Sequence, residues 1–222
     1  LINWVGAWTL YKKEVLRFLI VWIQTIFSPL VSSLLFLMVL SLAIGSDRGN
    51  VLGVPFITFL APGLIAMQVI QQAFSHSSST FMISKIQGNI VDILYAPLSP
   101  SEVTISVILA AVTRSLFIAI ISILTFYLLI DLRITSYTFL LLFTFLSSFI
   151  LGAIGVIAGL WAEKFDHMAT VTNFVIIPLS FLSGTFYSIN KLPETLQTIS
   201  KLNPFFYMID GFRYSFIGVA DG

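Results

Sequence analysis

The 222-residue chain is 58% hydrophobic and only 9% charged, with a formal net charge of +1 and a mean hydropathy of +1.01. A soluble domain is about a quarter charged, so this is the composition of an integral membrane protein. The eleven basic residues are scattered and form no phosphate-binding stripe for nucleic acid, and the lack of cysteine excludes disulfides, thiol catalysis and iron–sulfur sites.

Residues 3–17 place Trp4, Trp8, Tyr11 and Val15 on one helical side, with Lys12, Lys13, Glu14 and Arg17 supplying charge. This pattern fits either a helix lying in the membrane interface or a solvated helix leading into the first span. The first span is expected over 18–44. It exceeds the roughly 20 residues a bilayer needs, so it is tilted or kinked. Pro29 supplies the kink, because it removes a backbone donor and crowds the preceding turn. The apolar run is also far longer than the roughly 7–15-residue core of a signal peptide. A polar turn at 45–50 leads to a second span over 55–74, with Pro62 and Gly63 inside it.

Residues 75–101 read as a polar connection. Within it, Met82, Ile83, Ile86, Ile90, Ile93 and Leu94 share one face of an amphipathic helix over 82–95, with Lys85, Gln87, Asn89 and Asp92 elsewhere. That helix is too short and too polar to span. Its apolar face either docks in a partner's groove or lies on the membrane surface. Ser99, Pro100 and Glu102 then predict an N-cap, a first helical residue and a capping box. The third span, 103–130, contains Arg114. A charge at depth faces protein or water, unless its long stem carries it to the interface. A short turn at 131–133 precedes a fourth span over 136–161, where Gly152, Gly155 and Gly159 allow close approach of a neighbouring helix or of a second copy. A polar connection at 162–167 leads to a fifth span over 168–187, broken by Pro178.

The stretch 175–218 is not a simple span. Lys191, Glu194 and Lys201 cannot stay in lipid, yet the aromatic segment after Pro204 is apolar again and holds Asp210 and Arg213. It reads as a kinked fifth helix followed by two short helices, 193–202 and 204–217, with Asp210 and Arg213 close enough in sequence to pair. Irregular backbone at membrane depth survives only under protein or beside water. The stretch therefore caps a transport path, or else forms a surface hairpin with no part in transport.

Helix counting puts the N-terminus, 75–101 and 162–167 on one side, and the basic cluster Lys12, Lys13 and Arg17 places that side in the cytoplasm. No glycine is followed by lysine, so no phosphate-binding loop is present, and no buried carboxylate chain suggests a proton relay. His76 and His167 stand at span ends as exposed interfacial residues without metal-ligating neighbours. A transporter of this kind needs an outside motor, docked on the amphipathic helix.

The runs PLSFLSGTFYSINKLPETLQTISKLNPFFYMIDGFRYSFIG, FMISKIQGNIVDILYAPLSPSE and VWIQTIFSPL resemble the type-2 ABC exporter permeases, and the resemblance covers nearly the whole chain. The nearest group is the bacterial permeases that work with a separate ATPase and export drugs, polysaccharides and lipo-oligosaccharides. The resemblance implies an all-α multi-pass protein of the bacterial inner membrane, with an N-terminal interfacial helix and a cytoplasmic N-terminus. It implies a homodimer set in membrane lipid and two ABC ATP-binding subunits that hold ATP and magnesium. This chain itself would carry no catalytic residue, metal or cofactor. Five of six expected spans are present; the missing sixth makes the chain read as a fragment. The helix at 82–95 becomes the coupling helix, with Ile83, Lys85, Ile86, Ile90, Asp92, Ile93 and Leu94 its contact residues. Residues 189–218 become outer-side helices, and the substrate leaves past Pro178, Phe181, Gly184, Phe186 and Tyr187. The alternatives are an ATP-independent secondary transporter or channel and a non-transporting anchor.

Overall fold

The computed structural model describes residues 2–44, 50–130 and 132–222. Most of the polar turn expected at 45–50, and Asp131 of the turn at 131–133, lie outside the described residues.

Helix α1 (Trp4–Ile20) starts at Asn3, whose side chain accepts from the Gly6 amide at 3.0 Å. The helix takes in residues 18–20 of the expected first span. A wide π-turn, Ile23–Phe27, then leads into α2 (Ser28–Ile44). The wide turn has a local cause. Pro29 offers no N–H, and its ring crowds the carbonyl four residues back, at Thr25. Widening the preceding turn relieves that crowding. Two short strands, β1 (Asn50–Val51) and β2 (Val54–Pro55), pair as a hairpin through Leu52 and Gly53, both at positive φ.

Helix α3 (Phe56–Ile86) corrects the expected second span. It does not stop at residue 74 but runs on through Ser75 and Thr80, so the serine-rich segment is helix rather than connection. The small side chains are used for packing. In α6 (Tyr137–Trp161), a β-carbon on Gly155 would stand 2.6 Å from the Phe74 carbonyl oxygen, and one on Gly159 would stand 2.5 Å from that of Ser78. The glycines thus serve helix packing within the chain. Helix α5 (Pro100–Ile130) completes the central trio, with α3 its mostly buried core and α2 its largely exposed flank.

The amphipathic helix expected over 82–95 is two pieces. Residues 82–86 are the last turns of α3; a turn through Gly88, at φ +76°, then opens a separate α4 (Ile90–Tyr95). Only glycine takes that left-handed conformation without strain. The Ser99 hydroxyl accepts from the Glu102 amide at 3.3 Å, and the Glu102 carboxylate accepts from the Ser99 amide at 2.6 Å, which closes the capping box of α5.

Among the described residues, four helices are long and apolar enough to cross a bilayer: Ile23–Ala43, Phe56–Ile86, Pro100–Ile130 and Tyr137–Trp161. The expected fifth, 168–187, is broken. Helix α7 (Phe165–Val171) passes into a π-turn, Thr172–Ile176, and then α8 (Ile177–Phe181). Pro178 stands to this turn as Pro29 does to the first. Beyond a turn through Gly184 lie α9 (Glu194–Leu202) and α10 (Pro204–Ile217), divided at Asn203, which caps α10 and donates to the Leu179 carbonyl at 2.8 Å.

Candidate functional site

Three clusters stand out: a corner where α3, α4 and α6 end, a buried polar knot beside it, and an aromatic group where α2 meets the end of α8. At the corner, the Lys85 ammonium donates to the carbonyls of Gly159 and Ala162, each at 3.1 Å, and to that of Leu160. These are the carbonyls α6 leaves unpaired at its end, where the helix dipole favours a cation. Lys85 is therefore a clamp from α3 onto the start of the 162–167 connection rather than an outward contact. Lys85→Met removes this cap and is expected to cost about 2 kcal/mol. It would be read as a lower melting temperature of the purified permease, with Lys85→Arg restoring most of the loss.

The remaining residues of the predicted contact set divide sharply. Ile93 is 8% exposed and Ile90 packs with Phe81 and Val107, so both face inward, and Ile83 packs on the core. Leu94 is 74% and Tyr95 86% exposed; Ile86, Val91 and Asp92 are exposed with them. The turn at Gly88 shifts the helical phase, so the continuous stripe read from the sequence does not exist. Helix α1 steadies the corner. The Asn3 amide donates to Glu102 Oε1 at 2.5 Å, the Asn3 side chain to the Pro97 carbonyl at 3.0 Å, and the Ser106 hydroxyl to the Ala7 carbonyl at 3.0 Å. Trp4 and Trp8 stay exposed along α1.

The polar knot was not foreseen. His76 is 0% exposed, not interfacial, and its Nε2 lies 3.8 Å from Glu14 Oε2. Arg17 pairs with Glu14 at 2.9 Å and donates to the Thr80 hydroxyl at 2.6 Å; that hydroxyl in turn donates to Glu14 at 2.8 Å. The available signal was spacing. Glu14 and Arg17 share one face of α1, as His76 and Thr80 share one face of α3. His167 instead packs against the Trp161 ring at 5.4 Å. Arg114 turns inward and donates to Gln72 Oε1 at 2.5 Å.

On the opposite side, the expected Asp210–Arg213 ion pair is replaced by separate partners. Arg213 is fully buried, donates to the Gly184 carbonyl at 2.8 Å and the Thr185 carbonyl at 3.3 Å, and lies 3.9 Å over the Phe59 ring. Asp210 accepts from the amides of Asp221, at 3.0 Å, and Gly222, at 3.2 Å. Burial pushes the Asp210 carboxyl up from its ordinary value, against those amides and the Arg213 charge. The carbonyls freed where α8 ends are nearer claimants for a guanidinium than a carboxylate three residues back. Arg213 Nη2 also stands 2.8 Å from where a Gly63 β-carbon would be, about 10 Å along α3 from Phe56. Helix α10 therefore reaches down beside the spans. Of the predicted exit residues, Phe181 and Phe186 stack at 5.3 Å and Phe186 meets Phe36 of α2 at 6.1 Å. Pro178 shapes the helix above them, and Gly184 supplies the turn that receives Arg213. Tyr187 follows in the segment toward Ile189.

Several spanning helices, a clamped corner on one side and a kinked helix with a stacked aromatic cluster on the other fit a multi-span membrane permease. The chain belongs to the ABC-2 type transporter family, whose model matches residues 6–217. It is similar to the inner membrane transport permease YadH of Escherichia coli strain K12, at 34% identity over 218 residues, covering 98% of this chain and 85% of that protein. It is also similar to nodulation protein J of Rhizobium meliloti strain 1021, at 23% identity over 221 residues, covering 97% and 82%. Nodulation protein J of Neorhizobium galegae is 24% identical over 220 residues, covering 98% and 82%. The chain is thus a multi-pass inner membrane permease of an ABC transport system, a transport subunit that works with an ATP-binding subunit rather than an enzyme in itself.

Proposed function

We propose that the chain is the membrane subunit of an ATP-driven exporter. It moves an amphipathic substrate, such as a drug, a lipid-linked glycan or a polysaccharide, out across the cytoplasmic membrane. Two separate ABC subunits bind ATP and magnesium, and this chain carries no cofactor. It works as a homodimer with its N-terminus in the cytoplasm. The observation that supports this reading most is the exposed apolar pair Leu94 and Tyr95 on a corner braced by Lys85. A surface so placed takes a push from outside and passes it to α3, α6 and α7 together. Closure of the ATP-binding subunits would reach the Phe36, Phe181 and Phe186 cluster through those helices. Inverted vesicles holding the permease with its ATP-binding subunit should accumulate substrate with ATP and not with a non-hydrolysable analogue; accumulation without nucleotide would overturn the reading.

The Glu14, Arg17 and His76 knot favours one other reading, cation-coupled transport without ATP. Under it, an imposed proton gradient alone drives uptake in vesicles containing only the permease, and His76→Gln abolishes that uptake.

A further inference from the structure

We propose that a cleft between α2 and the middle of α3 is a cargo site for a hydroxyl-rich head group that carries no positive charge. The proposal rests on the transport reading above and narrows its substrate class. The cleft has a volume of about 250 Å³, and its polar lining is Ser28, Ser32, Ser33, Gln68, Gln71 and Gln72. Gln71 is the central residue of α3, a helix long and apolar enough to cross a bilayer. Phe36 and Phe186 continue the lining further along α2.

The polar groups do not all satisfy one another. Gln68 is spent on structure: its amide nitrogen donates to the Pro29 carbonyl, and its oxygen accepts from Ser122 at 3.2 Å. Gln72 uses its oxygen on Arg114 at 2.5 Å. The Gln71 amide nitrogen is buried and has no hydrogen-bond partner. A buried donor without an acceptor is costly, the more so at membrane depth. Ser32 and Ser33 donate within α2, to the Ser28 and Leu30 carbonyls, each at 2.9 Å, and keep their oxygens as acceptors. Two glutamines, these hydroxyls and aromatic rings offer a carbohydrate-like head both hydrogen bonds and a stacking surface. Charge decides against the other amphipathic class. Among the described residues no aspartate or glutamate lines the cleft, and the Arg114 guanidinium stands directly behind Gln72. In a medium of low dielectric that charge repels a cationic head strongly. Arg114 is a positioning residue that aims Gln72 and excludes cations.

The natural chain has no cysteine, so Ser32→Cys provides a single reporter. The full chain, assembled with its ATP-binding subunit in nanodiscs, would be labelled with a maleimide in the presence of octyl maltoside or octyltrimethylammonium, which share one tail. Octyl maltoside is expected to slow labelling at least tenfold and the cation less than twofold, with Gln71→Leu raising the protecting maltoside concentration about tenfold. Arg114→Gln is expected to let the cation protect as well. Equal protection by both heads would overturn the site without any change at Gln71, as would unchanged maltoside protection in Gln71→Leu. Loss of the dimer in Gln71→Leu would also overturn it, by assigning that amide to a contact between copies. ATP hydrolysis in the same samples separates the two readings: normal hydrolysis without head-group discrimination defeats the cargo site alone, whereas failure of the natural chain to bind its ATP-binding subunit defeats the export reading.

Discussion

Replacing Leu94 and Tyr95 together by aspartate is expected to weaken association with the ATP-binding subunit by roughly a hundredfold or more, as loss of a central anchor does at protein interfaces. Both side chains project from the end of α4 and touch little of their own chain. The change should therefore leave the permease folded while setting two charges against an apolar groove, where an unpaired charge is costly. Co-purification with the ATP-binding subunit reads the effect, and nucleotide-driven transport should fall with it. Ile93→Asp is the informative contrast. Its side chain lies inside the corner, so it should lower yield and melting temperature before it lowers affinity. Undiminished co-purification of the double variant would place docking elsewhere.

Gly159→Val is expected to destabilise the bundle by about 3 kcal/mol. At that position α6 lies on the backbone of α3, and a β-carbon would meet the Ser78 carbonyl oxygen at 2.5 Å and its Cα at 3.0 Å. Neither is the flexible end of a side chain, so the helices must separate. Separation would also carry the α6 carbonyls away from Lys85. Thermal unfolding in detergent reads the loss, and Gly152→Ala is the control. There the nearest atoms are side chains at 3.4 Å, an ordinary contact, and little change is expected.

These positions show how far the residues alone disclose the fold. Long apolar runs identify α2, α3, α5 and α6, because a bilayer imposes length and hydropathy together. The division between α9 and α10 is legible because Asn203 caps and Pro204 starts a helix. The end of α3 is not legible. Ser75 to Thr80 have loop-like composition, yet their small size is what α6 needs at Gly155 and Gly159, a requirement that exists only in three dimensions. The coupling stripe misleads for a local reason: periodicity was carried through Gly88, where the backbone turns left-handed. Arg213 misleads because sequence spacing presents Asp210 and cannot show the Gly184 and Thr185 carbonyls. His76 looks like a surface residue until Glu14 and Arg17 arrive from a helix some sixty residues earlier.

The two π-turns before Pro29 and Pro178 have a mechanical consequence. Each is a dislocation in a regular lattice, one surplus residue held between intact stretches of helix. In the second, the Ile177 amide reaches back five residues to Thr172. A dislocation moves by exchanging one acceptor for its neighbour, so the helix beyond it can rotate while every other rung stays bonded. Phe36 lies beyond the first and Phe181 beyond the second, and Phe186 touches both rings. Two small rotations of opposite effect at that contact would part or close the rings, with no span unwinding and no backbone donor stranded in lipid.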